Sequence, residues 1–299
     1  MSISRPTQLA TVRELKNGAQ ILSPLDLGRQ EQGTWIGITS EGRIAMLVNY
    51  REKNSTTSKV SRGILPVEYL SSTLDDDQWY DSLHDQSTAS LLTGNPVNLG
   101  DIGGFTLIYG KLQTDPVSGE LVPLNIMSNR GEHGKIHVAG DAEGIPHAEV
   151  ARQKYFSVSN SLYYEPWPKI QLGVSKLAEL VAESVANAYS QEKLADSCFD
   201  ILSTDTYDPI VREKKGQFAD QKLAELRNSI YIPPLDNACV ADCSSATAPE
   251  SKYYGTRTQT VIMLHKSGHL HYYERDLYEG NTNVQHVTKQ HFVFDLNSA

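Results

Sequence analysis

Gly33 to Val48 constrains the fold more tightly than any other segment. Gly33 to Thr39 alternates, with Trp35 and Gly37 on one face and Ile36 and Ile38 on the other. Ser40-Glu41-Gly42 supplies a turn, and Ile44 to Val48 is an unbroken apolar run. Such a run marks a strand covered on both faces, so the pair predicts an antiparallel hairpin with layers on each side.

Further strands are predicted at Gly103–Leu112, Leu124–Ser128, Lys135–Val138 and Tyr155–Ser159. Arg62 to Leu70 suits a short helix limited by Pro66. Thr73 followed by Asp76 resembles a capping box ahead of Trp79 and Leu83, which share one helical face. Pro166-Trp167-Pro168 opens the clearest helix, where Ile170, Val174, Leu177, Val181, Val185 and Ala188 recur at helical spacing. Gln191–Leu202 and Phe218–Arg227 follow as helices. Thr258–His265 and His269–Arg275 make a second hairpin, and His291–Leu296 a last strand. Strands at both ends around a helical middle predict an α+β domain over 1–299, one sheet system with helices packed against it.

The chain has 299 residues, 39% of them hydrophobic, which suffices for a substantial core. A net charge of -9 argues against nucleic acid and anionic lipid surfaces as partners. No stretch has the ~18 apolar residues of a spanning helix, and Met1 to Ala10 is too polar for a signal peptide, so the cytosol is the expected compartment. Three cysteines are too few for a disulfide scaffold. Cys239 and Cys243 read either as a redox or metal pair or as two ordinary thiols, and one pair fills only half of a four-ligand metal site.

Phosphate-cradling glycine loops and a Gly-x-Ser-x-Gly elbow are both absent from the sequence. His265, His269 and His271 lie in one predicted hairpin, where they are either a metal or haem-iron set or polar residues on a solvent face. The acids Asp75, Asp76 and Asp77 suit a helix N-terminus. Polar residues that punctuate apolar strands are the best candidates for a pocket mouth: Asn49, Asn129, Arg130, Asn160 and Thr256. Arg62 and Arg257 are the natural anion partners there, because guanidinium grips phosphate or carboxylate at two points. Strand termination and surface ion pairs are the plainer readings of the same residues.

Ordered blocks across the chain add a resemblance. Arg5-Pro6, Ile21 to Leu27, Gly33-Thr34-Trp35, Asn49-Tyr50, Ser61-Arg62-Gly63 and Gly104-Phe105 are followed by Asn129-Arg130-Gly131-Glu132, Ser159-Asn160-Ser161-Leu162, Pro166-Trp167-Pro168-Lys169, Tyr254-Gly255-Thr256-Arg257-Thr258 and Glu274-Arg275. Together they resemble the transport and Golgi organisation protein 2 family, also called NRDE, in a fungal-type member. Loops near 84–101, 132–152 and 236–252 look like insertions.

The resemblance implies an N-terminal-nucleophile-hydrolase-like sandwich of antiparallel sheets with flanking helices. Members typically begin Met-Cys and carry a first strand and an Asn-Arg-Asp-Glu signature before the Arg-Pro segment. This sequence reaches Arg5-Pro6 directly, so that strand and the nucleophile are expected to be missing, and the role is not carried onto Ser2. The expected consequences are unpaired sheet edges, lower stability and no catalysis by the N-terminal mechanism. An amide hydrolase is the alternative if the true start lies upstream. The resemblance further implies work in Golgi organisation and secretory transport, peripheral Golgi or mitochondrial association, and handling of haem or acyl-CoA. The ligand expected is small, anionic or lipid-like, held without catalysis by Asn49, Arg62, Asn129, Arg130, Asn160, Thr256 and Arg257.

Overall fold

The computed structural model describes residues 3, 5–15, 18–51, 58–85, 89–90, 92–114, 117, 122, 124–130, 135–137, 155–213, 219–236, 253–279 and 282–296. Cys239, Cys243 and most of the loops 132–152 and 236–252 lie outside them. The chain divides into two compact units: residues 6–165, and residues 166–298 together with 1–5.

In the first unit, β1 (Thr7–Glu14), β2 (Gln20–Asp26), β3 (Ile36–Thr39), β4 (Arg43–Asn49), β5 (Phe105–Lys111), β6 (Asn125–Ser128) and β7 (Lys135–His137) form an antiparallel sheet in chain order. The β3–β4 hairpin is the predicted one, with Gly42 at a positive φ of 84° in its turn. Two strands carried too weak a signal to be read from the sequence. β1 lies at the edge of the sheet and buries only Ala10. β2 is buried along five successive residues but contains Pro24. Gln8 pairs Leu25 and Thr11 pairs Ser23, so Leu9 and Ala10 together face Pro24. This bulge absorbs the N–H that proline lacks.

Both faces of the sheet are covered, as the apolar run of β4 requires. On one face lies α1 (Ile64–Ser71), which approaches β3 so closely that a Cβ on Gly37 would stand 2.7 Å from Leu70. The core there joins Ile64, Leu65, Leu70, Ala45, Leu47, Phe105 and Leu107. Tyr69, Trp79 and Tyr109 pack as an aromatic trio with ring centroids 5.0–5.1 Å apart. Trp79 comes from α2 (Asp76–Ser82). Its capping box is formed by Asp75 and Gln78, two residues beyond the Thr73 and Asp76 expected; the Asp75 carboxylate accepts from the Gln78 amide at 2.8 Å.

On the opposite face, Ile108 and Ile126 are covered by Phe156, Val158 and Tyr163. This corrects the strand predicted at Tyr155–Ser159, which forms no ladder among the described residues. Its alternation is genuine, but the extended segment lies over the sheet instead of pairing at an edge.

The second unit holds α3 (Pro168–Ala186), α4 (Gln191–Leu202), α5 (Pro209–Glu213), α6 (Ala219–Glu225), a short β8–β9 pair (Leu235–Asp236 with Tyr253–Tyr254) and a three-stranded antiparallel sheet. That sheet runs β10 (Thr258–Leu264), β11 (His269–Asp276), β12 (Thr288–Asp295) in continuous register. Along β11, Leu270, Tyr272, Glu274 and Asp276 are buried. The alternate face receives α4, where the Arg275 guanidinium sits 3.8 Å over the Phe199 ring and pairs with Asp196. The apolar stripe of α3 is less buried than its periodicity suggests: Ile170 and Leu180 are buried, whereas Val185 is 78% exposed. Among the described residues no helix is long and apolar enough to cross a membrane.

Candidate functional site

Five of the seven predicted site residues meet at one end of the seven-stranded sheet, around Gly103 and Gly104. Register brings them there. Asn49 ends β4 directly opposite Phe105 at the start of β5, and Thr106 pairs Ser128 at the end of β6. The residues just beyond these rungs, Tyr50, Gly104 and Asn129, therefore share one edge of the layer.

Asn160 clasps the end of β4. Its side-chain amide donates to the Asn49 carbonyl at 2.7 Å, and its own carbonyl accepts from the Arg51 amide at 3.0 Å. Asn129 clasps β5: Oδ1 accepts from the Phe105 amide at 3.0 Å, while Nδ2 donates to the carbonyls of Leu99 and Ile102 at 3.1 and 3.0 Å. Ser128 adds a hydroxyl donated to the Phe105 carbonyl at 2.7 Å.

Two guanidinium side chains lie against the glycine pair. A Cβ on Gly103 would stand 2.2 Å from an Arg62 Nη, so Arg62 occupies that space. A Cβ on Gly104 would meet the Tyr50 ring at 2.9 Å and the Arg130 side chain at 3.2 Å. Arg62 is carried in by a backbone crossing in which the Thr34 amide donates to the Gly63 carbonyl at 3.0 Å. The crossing also requires Gly33, whose Cβ would lie 2.4 Å from the Gly63 carbonyl carbon. From sequence, Gly103-Gly104 reads only as a loop before a strand. Its function here is to leave room for Arg62 on one residue and for Tyr50 and Arg130 on the next.

Thr256 and Arg257 belong to the other unit. The Thr256 hydroxyl accepts from the Ile232 amide at 2.9 Å. Arg257 donates to both Asp276 oxygens, at 3.1 and 3.2 Å, and to the Arg5 carbonyl at 2.8 Å.

The histidines of the second hairpin split into two pairs. The Ser267 hydroxyl stands 2.7 Å from Nδ1 of both His265 and His269. His271 Nδ1 lies 3.0 Å from Nε2 of His291, a partner not foreseen because it comes from β12. Burial, and then the neighbouring histidines, lower the pKa of His271. Among the described residues, no group of three or more His, Cys, Asp or Glu is placed to hold a metal ion. Beside this row, a groove of about 280 Å³ is lined by Asp196, Phe199, Tyr273, Arg275, Lys289 and His291 among others. Cys198 on α4 is half-buried, and burial raises its thiol pKa.

These features define an α+β protein of antiparallel sheets with flanking helices, whose larger sheet ends in a knot of asparagine and arginine side chains. The chain belongs to the Transport and Golgi organisation 2 family, whose model matches residues 2–279. It is 28% identical over 279 residues to an uncharacterized protein of Saccharomyces cerevisiae, covering 90% of this chain and 83% of that one. To the Transport and Golgi organization protein 2 homolog of Homo sapiens it is 26% identical over 299 residues, covering 99% of this chain and 89% of the human protein. The homolog of Mus musculus is 27% identical over 281 residues, covering 94% and 84%. Among solved structures, a variant of conjugated bile acid hydrolase from Clostridium perfringens covers 98% of this chain and 84% of its own, at 10% identity and a TM-score of 0.34. A likeness that distant carries no inference about chemistry.

Proposed function

We propose that this protein is a non-catalytic binder of a small molecule with an anionic end, acting in the Golgi-related transport for which its human and mouse relatives are named. The observation that carries the reading is the placement of Arg62 and Arg130 against adjacent glycines, at a sheet end ordered by Asn129 and Asn160. Guanidinium binds carboxylate and phosphate at two points, and hydrogen bonds to charged groups are the stronger class. A haem propionate or the phosphates of an acyl-CoA supply the matching anion. The apolar remainder of either molecule needs a wall, and the partly buried Tyr50 ring beside Gly104 is one candidate.

The test is titration calorimetry of the purified protein with haem and with a long-chain acyl-CoA, repeated on Arg62→Ala and Arg130→Ala. At least one ligand is expected to bind. Loss of one charged hydrogen-bonding group should weaken it roughly 10- to 100-fold, matching about 1.5–3 kcal/mol. Absence of binding to both ligands, or affinities unchanged in both variants, would reject the reading.

A further inference from the structure

The second sheet ends in an edge strand without the usual protections. β12 pairs β11 over eight successive residues without a register shift, and among the described residues nothing pairs its other side. Natural edge strands are kept from self-association by proline, bulges, shortness or charge. Thr288 to Asp295 contains no proline and no bulge, and its one lysine or arginine, Lys289, sits near its start. Apolar surface accompanies the edge: Val293 is 49% exposed, Val287 at its entry is 44% exposed, and Phe292 and Phe294 are half-buried.

The sequence of the strand selects its occupant. Directly opposite residues of an antiparallel ladder lie on the same face, so two copies related by a two-fold axis can pair only in registers that match like faces. The register centred on Phe292 sets Phe292 opposite Phe292 of the partner subunit and His291 opposite Val293 of the partner subunit. It also sets Lys289 opposite Asp295 of the partner subunit, and the symmetry repeats this charge pair at the other end. A shift of the centre by one residue either way removes both charge pairs. Lys289 gains from this, because its neighbour on the inner side is another cation, Arg275.

We propose that β12 joins β12 of a second copy in an antiparallel pair about Phe292, making one six-stranded sheet across a symmetric dimer. The inference is independent of the ligand reading, since the residues involved lie in the other unit. Edge pairing alone covers a small area, so association should be reversible, with Kd on the order of micromolar.

Sedimentation velocity over roughly 1 to 100 µM is the test, with Lys289→Asp and the double variant Lys289→Asp/Asp295→Lys alongside. Wild type should shift from monomer to dimer across that range. Lys289→Asp faces two like-charge pairs and should dimerise at least ~10-fold more weakly, while the double variant restores opposite charges and should return to within about threefold of wild type. Circular dichroism confirms that each variant folds. Wild-type protein that stays monomeric overturns the proposal without reference to any variant. So does a dimer indifferent to Lys289→Asp, or one the double variant fails to restore.

Discussion

Arg257 grips Asp276 at two points, Nε to Oδ1 at 3.1 Å and Nη2 to Oδ2 at 3.2 Å, with both side chains largely buried at 14% and 11% exposure. The third contact, Nη1 to the Arg5 carbonyl at 2.8 Å, ties the pair to the segment that precedes β1. The sequence marks Arg257 as an anion partner, and the anion it holds in the structure is the protein's own.

Removing this guanidinium should therefore act on stability. Arg257→Ala leaves a carboxylate nearly buried and a carbonyl without its donor. Breaking one side of such a pair costs about 3–5 kcal/mol. Urea denaturation should show a loss near the lower bound, given the residual exposure. Arg257→Lys should recover only part of it, since an ammonium cannot span both oxygens. The double variant Arg257→Ala/Asp276→Ala should lose less than the sum of the single changes. Strict additivity would show that the pair contributes nothing as a pair.

Gly33→Ala tests the crossing that delivers Arg62. Three backbone atoms of Gly63 lie within 2.8 Å of the new methyl position, and backbone cannot rotate away as a side chain can. A loss of about 3 kcal/mol or more is expected. Gly104→Ala meets the side chains of Tyr50 and Arg130 at 2.9 and 3.2 Å, which can give way, and should lose roughly 1–2 kcal/mol. Equal losses, read from denaturation midpoints, would contradict this ordering.

Much of this architecture was legible in the sequence, and the exceptions have physical reasons. The β3–β4 and β10–β11 hairpins declare themselves because in each two apolar strands flank a short turn. β1 and β2 do not: an edge strand buries too little to alternate clearly, and Pro24 interrupts a run that only the bulge opposite makes tolerable. Tyr155–Ser159 shows that period-two alternation reports one covered face and says nothing of ladder partners. For the candidate site, the strand-terminating polar residues Asn49, Asn129 and Asn160 come together at one end of the sheet. What the sequence could not supply is that Gly103 and Gly104 face Arg62, Tyr50 and Arg130, because the contact depends on loops that meet only in the fold.

Asn129 offers a test in which the closer isostere should be the worse variant. Asn129→Ala loses an acceptor for the Phe105 amide and a donor to the Leu99 and Ile102 carbonyls, about 2–3 kcal/mol in all. Asn129→Asp keeps the acceptor but turns a carboxylate oxygen toward two carbonyls. Its denaturation midpoint at neutral pH should fall at least as far as that of the alanine variant and recover on acidification, when a protonated carboxyl can again donate. If aspartate is instead tolerated near pH 7, the amide is not donating to those carbonyls.

Lys169 should impose a pH dependence on stability. Burial lowers its pKa to about 8, from an ordinary value of 10.5. Its ammonium lies 5.3 Å from the centre of the Trp167 ring, which the Arg227 guanidinium also approaches at 5.4 Å, so a second cation shares the site. Because the folded-state pKa is depressed, the unfolded chain binds the proton more tightly between about pH 8 and 10.5. Stability therefore rises with pH across that window, as the folded state sheds a charge that burial penalises. Below pH 8 both states are protonated and the full penalty applies, on the order of 3 kcal/mol. Lys169→Met removes the charge and keeps the length of the stem. Relative to wild type it should be more stable at pH 7, with the advantage shrinking steadily toward pH 10. Chemical denaturation of the two proteins at matched pH values isolates this contribution from the tyrosines that titrate in the same range. A constant difference between them would show that Lys169 keeps its charge well solvated in the folded chain.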